Sequence, residues 1–480
     1  MEARSIFKNI SPIDHRYSIS EKDVYESLVP WISEEASIAA CVKAEIALIL
    51  AHLMIRGKDE PSIRVKLAQC VIEPAEVYAE EEKTHHNIRA LVNVLKRKVP
   101  QEAAPLVHLG ATSVDILDTS LSWRMAGLTR NVVLPMLIKL EKQLCAFTER
   151  EAETPQVGRT HGQHAVPITL GFAVSEYVSR LGKSILEIEK RSKELKGKLS
   201  GAVGAYNATS MIVKDPQELE RIYLSALGLE PSEHSTQLVE PEYLLRLLLE
   251  FNVAFGVIAN LADDLRNLQR SEIGEVSEGF GANQVGSSTM PQKRNPWNCE
   301  HVKSLWKAFM PRVNTFFMDQ ISEHQRDLSN SASQRFIADY IAGFCLAVSR
   351  MIGIIKGLES NHQKLADNLR SGKIPGGIMA EPAYILLAEA GVSDAHEVIR
   401  KITLTAEKEK LSFAAALAAE KDVFEKTSGK LLELGLASSK EDAVEFFENP
   451  QRYRGIAAEK AKSLAEKYSA LMDDLFLKDD

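Results

Sequence analysis

Aromatic side chains make up only 6% of this 480-residue chain, and almost nowhere do β-branched residues alternate with polar ones over a strand's length. That excludes a sandwich or barrel, which is built from such strands. The five cysteines, Cys41, Cys70, Cys145, Cys299 and Cys345, are scattered without a CxxC pair. An odd, unpatterned set is not a disulfide framework and suits a reducing compartment. No GxxxxGK[ST] is present, so a Walker-type phosphate loop is excluded. Blocks of like charge are also missing: 58 basic and 66 acidic residues give −8, spread along the chain. No polyanion-binding face is implied, and nucleic acid is not an expected partner. The N-terminal stretch "MEARSIFKNISPIDHRYS" has no apolar signal-like region. The most apolar run, "YLLRLLLEFNVAFGVIANLA", carries Arg246, Glu250 and Asn252, and reads as a buried helix rather than a membrane span. The expected setting is cytoplasmic, with no membrane partner.

What is present is helical. Hydrophobic residues reach 45% and charged residues 26%, an ordinary soluble composition. Leu137, Leu140, Leu144 and Phe147 recur at three and four, as do Val174, Tyr177, Leu181, Ile185, Ile188 and Leu195. From Tyr243 to Leu268 the pattern is apolar on nearly every face, which calls for neighbours all round, in a thick bundle or a subunit interface. The fold class is all-α. Gly and Pro cluster in "PLVHLGATSVDILDTS" and again in "NLRSGKIPGGIMAEP". They divide the chain into an N-terminal helical domain at 1–112, a central long-helix bundle at 113–366, and a C-terminal helical domain at 367–480. In the last, Pro382 marks a helix start and Gly391 its end, Ser393 reads as a cap, and Ser438 with Glu441 as a capping box.

Against this background stand polar, Gly-rich islands: "THHNIRA", "VHLGATSVD", "GRTHGQHAVP", "STQLVEP", "QVGSSTMPQKRNP" and "HQRDLSNSASQR". His161 and His164 do not make a zinc site, because nothing nearby supplies further ligands. The acidic pair Asp263 and Asp264 lacks the second acidic cluster that a magnesium site needs. His85 and His86 fit a helix start. The stretch from Gln284 to Pro296 is flanked upstream by Gly274, Gly279 and Gly281 and runs downstream into a helix. A helix N-terminus offers free N–H groups and a positive dipole, and Lys293 and Asn295 add a cation and an amide. A carboxylate is the natural guest. Breaking a C–N or C–O bond beta to a carboxylate requires removal of a weakly acidic carbon-bound proton while charge accumulates on that carboxylate. The same positive field would ease ionisation of Ser287, otherwise a very poor base. The departing group then needs a proton, and a histidine held by a carboxylate is the usual donor; spacing does not say which histidine.

The segment "GSSTMPQKRNP", Gly286 to Pro296, resembles the fumarase and aspartase superfamily signature GSSxMPxKxNP at every fixed position. "SPIDHRYS", "HLGATSVDILDT", "GRTHGQ", "LSGAVGAY", "STQ", "LQRSEIGEV" and "RDLSNSASQR" are similar to its adenylosuccinate lyase branch, from about Ser11 to about Gly391. The resemblance implies a carbon–nitrogen lyase that eliminates fumarate from adenylosuccinate and from SAICAR, without metal or organic cofactor. It makes Ser287 the general base and His161 the general acid, pairs Glu300 with His161, and sets Lys293 and Asn295, with Ser288 and Met290 of the same loop, at the succinyl group. His86 falls on a second active-site histidine, and Asn87 beside it replaces the family's aspartate. His108, Thr112 and Ser113 match a segment that binds phosphate and carboxylate groups, and Gln237 a substrate-binding glutamine. Arg16, Tyr17, Arg326, Ser331 and Arg335 match positions that grip the nucleotide. His164, where proline is common, and the segment after Gln237 depart from the pattern. The resemblance also implies a homotetramer whose active sites are shared between subunits. Two other readings are a superfamily lyase or cycloisomerase for a different substituted succinate, and a structural relative that has lost activity.

Overall fold

The computed structural model describes residues 5–281 and 286–477, so Gln284 and Val285 of the signature stretch lie outside the described residues. The elements that position the site are, in chain order, α1 (Lys22–Ile32), α2 (Glu34–Ile55), α3 (Pro74–Thr84), α4 (Asn87–Lys98), α5 (Ser113–Leu128), α6 (Leu134–Arg150), β1 (Pro155–Thr160), β2 (Gln163–Thr169), α7 (Leu170–Lys193), α8 (Glu242–Leu268), α9 (Trp297–Phe309) and α10 (Ile337–Lys356). With helix over 68% of the chain, the fold is all-α, as the 3.6-residue pattern predicts. The apolar positions read from α6 and α7, Leu137 and Leu140 through Ile188, are all buried. Local chemistry sets the ends: the Ser33 hydroxyl accepts the N–H of Ala36 at 3.1 Å at the start of α2, and Pro74 opens α3 behind a Glu73–Glu76 capping box.

The residues fall into two compact units. One gathers Met1–Ile138, Lys183–Ala259 and His301–Arg350. Its N-terminal core packs Ala44, Leu48 and Ile49 of α2 with Ala90 and Leu95 of α4 and with Leu199 and Tyr223. Fully burying each leucine or isoleucine contributes about 1.5–3 kcal/mol. Further along, Phe344 stacks on Phe251 at 5.4 Å and meets Phe255 edge-on at 5.5 Å, fixing α10 against α8.

The other unit gathers Lys139–Gly182, Asn260–Glu300 and Met351–Asp480. Its C-terminal core is built from Leu386, Leu387, Ile399, Phe413, Phe446 and Phe447. Two caps differ from the sequence reading by one residue. Asp394 rather than Ser393 precedes the helix Ala395–Glu409, and Ser439 rather than Ser438 caps Lys440–Glu448, taking the N–H of Asp442 at 3.1 Å. Ser438 hydrogen-bonds the Asp442 carboxylate instead, at 3.0 Å. A short hairpin, β1–β2, interrupts the helices here. His161 and Gly162 link its strands with φ of 54° and 73°, the primed turn that suits the strands' right-handed twist. Asp263 and Asp264 are engaged by Arg266 and by the Tyr177 hydroxyl. Glu141 is fully buried with neither carboxylate oxygen hydrogen-bonded among the described residues, and burial pushes its carboxyl well above the ordinary range.

Among the described residues, three segments are long and apolar enough to cross a membrane by length and composition: Lys22–Ile55, Glu242–Leu268 and Ser333–Lys356. Within the chain, 61%, 56% and 67% of their most apolar windows are already buried. Along α8 the cover is incomplete, because Arg246, Val253 and Asn260 form an exposed stripe on a helix expected to be surrounded. All five cysteines are free.

Candidate active site

The first unit draws four of the polar islands together with the stretch "LSGAVGAY". Asp115, buried in the first turn of α5, is the hub: its carboxylate accepts the N–H of Thr112 at 2.7 Å, the N–H groups of Ser200 and Gly201 at 3.2 and 3.3 Å, and the ammonium of fully buried Lys198. Ser200 meets Ser235 hydroxyl to hydroxyl at 2.6 Å, and Gly204, at φ 77°, passes so close to the Ser235 carbonyl that a Cβ would stand 1.8 Å from it. Gln237 donates its N–H to the Gln325 carbonyl at 3.2 Å, which sets it beside Arg326. Val239 donates to Asp118 at 3.0 Å, and burial pushes Asp118 up to about 6. Arg326 itself donates to the Asp327 carbonyl at 2.9 Å, while Ser331 and Arg335 are exposed.

Three histidines of this unit are held by defined partners. His86 caps α4: its Nδ1 accepts the N–H of Arg89 at 3.2 Å, which leaves Nε2 to carry the proton of the neutral ring, 3.5 Å from the Ser113 hydroxyl. Asn87, first in α4, turns its Oδ1 onto the N–H of Ile88 at 2.7 Å. His108, at φ 60°, is held by Glu45, which accepts both its N–H and its Nδ1. Tyr17 reaches Nε2 of His301 at 2.9 Å; burial, with the charges of Arg350 and Arg16, pushes that imidazole down, toward the neutral form. Of the six described non-glycine residues at positive φ, four are the histidines 85, 108, 161 and 324, all within or beside the polar islands. Such backbone costs of order 1–3 kcal/mol and is stored where geometry matters to function.

The second unit holds Ser287, His161, Glu300 and Lys293, the residues besides His86 that are expected to do the chemistry. Ser287 is half-buried, and its Oγ accepts two backbone N–H groups, from Thr289 at 3.3 Å and Met290 at 3.1 Å. Two donors on one oxygen favour negative charge there. The loop closes on itself through Asn295, whose amide donates to the Gly286 carbonyl at 2.9 Å, and through Gly286, where a Cβ would lie 2.2 Å from the Lys293 carbonyl. Ser288, Met290 and Lys293 are exposed.

One expectation is corrected here. The N-terminus of α9 does not present free N–H groups to an incoming anion. Glu278 fills it, taking the N–H of Asn298 at 3.2 Å, the N–H of Cys299 at 2.7 Å and the Asn298 amide at 2.9 Å. The segment preceding the loop thus supplies its own carboxylate to the helix dipole, and the loop's free donors serve Ser287 instead.

His161 stands exposed at the hairpin tip, and His164 is exposed in β2 opposite Arg159. The hairpin base is clamped by fully buried Glu275, which takes Arg159 through both carboxylate oxygens at 3.1 and 2.5 Å, Gln156 at 2.8 Å and Asn368 at 2.9 Å. Glu300, in the first turn of α9, is exposed, and no hydrogen bond joins it to His161 within the described residues.

Unit by unit, Arg16, Tyr17, His86, Asn87, His108, Thr112, Ser113, Gln237, Arg326, Ser331 and Arg335 lie in the first, and His161, Ser287, Ser288, Met290, Lys293, Asn295 and Glu300 in the second. Sequence reasoning missed the residues behind them: Glu45, Glu275, Glu278 and His301. For Glu45 a signal was there to be used, a single acid in the interior of the apolar run "ASIAACVKAEIALILAHLMI".

Comparison with known proteins fits this arrangement. A lyase family model matches residues 16–308, and a second, adenylosuccinate lyase C-terminal, matches 322–438. Adenylosuccinate lyase of Pyrococcus abyssi is 34% identical over 83% of this chain and 88% of its own, and that of Archaeoglobus fulgidus 29% identical over 94% and 97%. Among solved structures, a fumarate lyase from Mesorhizobium superposes with a TM-score of 0.77 at 21% identity, over 93% of this chain and 97% of its own. A 3-carboxy-cis,cis-muconate lactonizing enzyme from Pseudomonas putida does so at 0.76 and 23%, over the same shares; both show the fold alone. By its family models, and by the relatives that it follows over most of their length, this chain belongs to the adenylosuccinate lyase family of the fumarase and aspartase superfamily.

Proposed function

We propose that this lyase eliminates fumarate from adenylosuccinate, releasing AMP, and from SAICAR, releasing AICAR. The observation that carries the reading is the match, over nearly all of both chains, to relatives named for adenylosuccinate. In this reading Ser287, as the alkoxide, takes the proton from the carbon beta to the departing nitrogen, and the N–H groups of Thr289 and Met290 stabilise its charge before the transfer. The electron pair of the broken C–H bond passes into the neighbouring carboxylate, where Lys293, Asn295, Ser288 and Met290 receive the dianion. The C–N bond then breaks, the carbon–carbon double bond of fumarate forms, and His161 gives its proton to the nitrogen. His86 donates from Nε2 beside Ser113; Asn87, His108, Thr112 and Gln237 contact the substrate's polar groups; Arg16, Tyr17, Arg326, Ser331 and Arg335 take its phosphate and ribose.

The reading includes a cytoplasmic homotetramer in which Glu300 of one subunit orients His161 of another. Val253, 53% exposed between Arg246 and Asn260, is an apolar side chain of α8 that an assembly would cover. It also keeps the division at 1–112, 113–366 and 367–480, of which the separate apolar core from Met379 to Phe447 supports the last. The test is an ultraviolet assay of fumarate release from adenylosuccinate. Purified protein should turn it over, and Ser287→Ala should lower kcat by about 10²–10⁴, the range of a lost general base. An intact tetramer inert toward both succinylated nucleotides would remove the proposal.

A further inference from the structure

Helix α2 is almost wholly apolar where it is buried. Its two buried polar side chains are Glu45 and His52, both fully inaccessible and seven residues apart, which sets them on one face two turns apart. Both grip the same turn. Glu45 accepts the backbone N–H of His108 at 2.9 Å and meets Nδ1 of its ring at 2.6 Å. His52 donates from Nε2 to the Leu109 carbonyl at 2.8 Å, and its own Nδ1 has no partner among the described residues. At this turn the chain runs through φ of 60° at His108 and 80° at Gly110. A buried carboxylate costs several kcal/mol unless paired, so Glu45 in an apolar helix needs a partner, and both of its hydrogen bonds go to His108. The His108 ring is about one-fifth exposed, and its Nε2 makes no hydrogen bond among the described residues.

We propose that Glu45 is a positioning residue for substrate binding, acting through His108. By accepting Nδ1–H it fixes the ring's tautomer and orientation, so that Nε2 is the working atom. With Nδ1–H committed to Glu45, the doubly protonated ring donates Nε2–H to an anionic oxygen of the substrate, on phosphate or carboxylate. His52 holds the following carbonyl, so that the strained turn cannot relax. This rests on the reading of the chain as an adenylosuccinate lyase in which His108 touches substrate.

The experiment compares the full-length enzyme with Glu45→Gln, His108→Asn and the double variant on adenylosuccinate. If the parent is inert, it is the proposed function that fails. With an active parent, Glu45→Gln should raise KM about tenfold with kcat within about threefold, the loss of one charge-assisted hydrogen bond made equally in ground and transition states. The double variant should be no worse than His108→Asn alone. Inhibition by inorganic phosphate and by fumarate assigns the oxygen, since Glu45→Gln should weaken only the inhibitor whose group His108 holds. An unchanged KM in Glu45→Gln overturns the proposal, as does a full further loss on the His108→Asn background. If Glu45→Gln does not fold, His108→Asn decides: KM must rise by a similar factor, and a parental KM overturns the assignment.

Discussion

Glu278 accepts the backbone N–H of Cys299 at 2.7 Å, and through this bond the segment before the signature loop holds the helix after it. One carboxylate upstream of the loop from Gly286 to Asn295 therefore holds the first turn of the helix that follows it. Burial, and then that carboxylate, push the Cys299 thiol up. Glu278→Ala should cost about 1–2 kcal/mol, the worth of a strong N-cap. Glu278→Gln, which keeps one acceptor, should cost less. Denaturant titration measures both, and an alanine variant as stable as the parent would remove the capping role.

The turn at His161 separates folding from chemistry. Asparagine tolerates the left-handed region well, whereas it cannot donate a proton as imidazolium does. His161→Asn should keep the parent's melting temperature and lose about 10²–10⁴ in kcat, the contribution of a general acid. If the variant retained parental kcat, the acid would have to be sought elsewhere.

Glu141 predicts how stability varies with pH. Its carboxyl is raised in the folded chain, so the native state binds the proton more tightly than the unfolded one. Stability from this group is complete below the unfolded value and falls as pH rises toward the folded one, at up to about 1.4 kcal/mol per pH unit. Glu141→Gln should flatten that decline, and at neutral pH it should unfold at higher denaturant than the parent. Equal slopes for the two proteins would show that the carboxyl does not titrate in this way.

Lys198 and Asp115 form a fully buried pair at the hub of the polar islands. Removing one partner strands a buried charge, so Lys198→Met should cost about 3–5 kcal/mol. Adding Asp115→Asn should return part of that loss, because the charge goes with it. A double variant weaker than the sum of the two single ones would contradict the account.

The helices, and the burial of Leu137 to Phe147 and Val174 to Ile188, were legible because an apolar period of 3.6 is a property of the sequence itself. So were the breaks, since Gly110 and Gly376 adopt φ of 80° and 70° that few other residues accept. The candidate site was legible through its signature residues, whose types are dictated by the chemistry. The hairpin was not. Its strands span only six and seven residues, and a His-Gly turn is a weaker signal than Asn-Gly.

By itself, then, the sequence determined an all-α chain, its punctuation, and the chemical types gathered in its polar islands, because periodicity, turn chemistry and side-chain inventory are local. Only the tertiary structure decided what stands behind those residues: Glu45 under His108, Glu275 under the hairpin, and Glu278 at the end of α9. Each joins segments from 21 to more than 100 residues apart. A buried carboxylate finds its partner by packing, and no spacing along the chain records that choice.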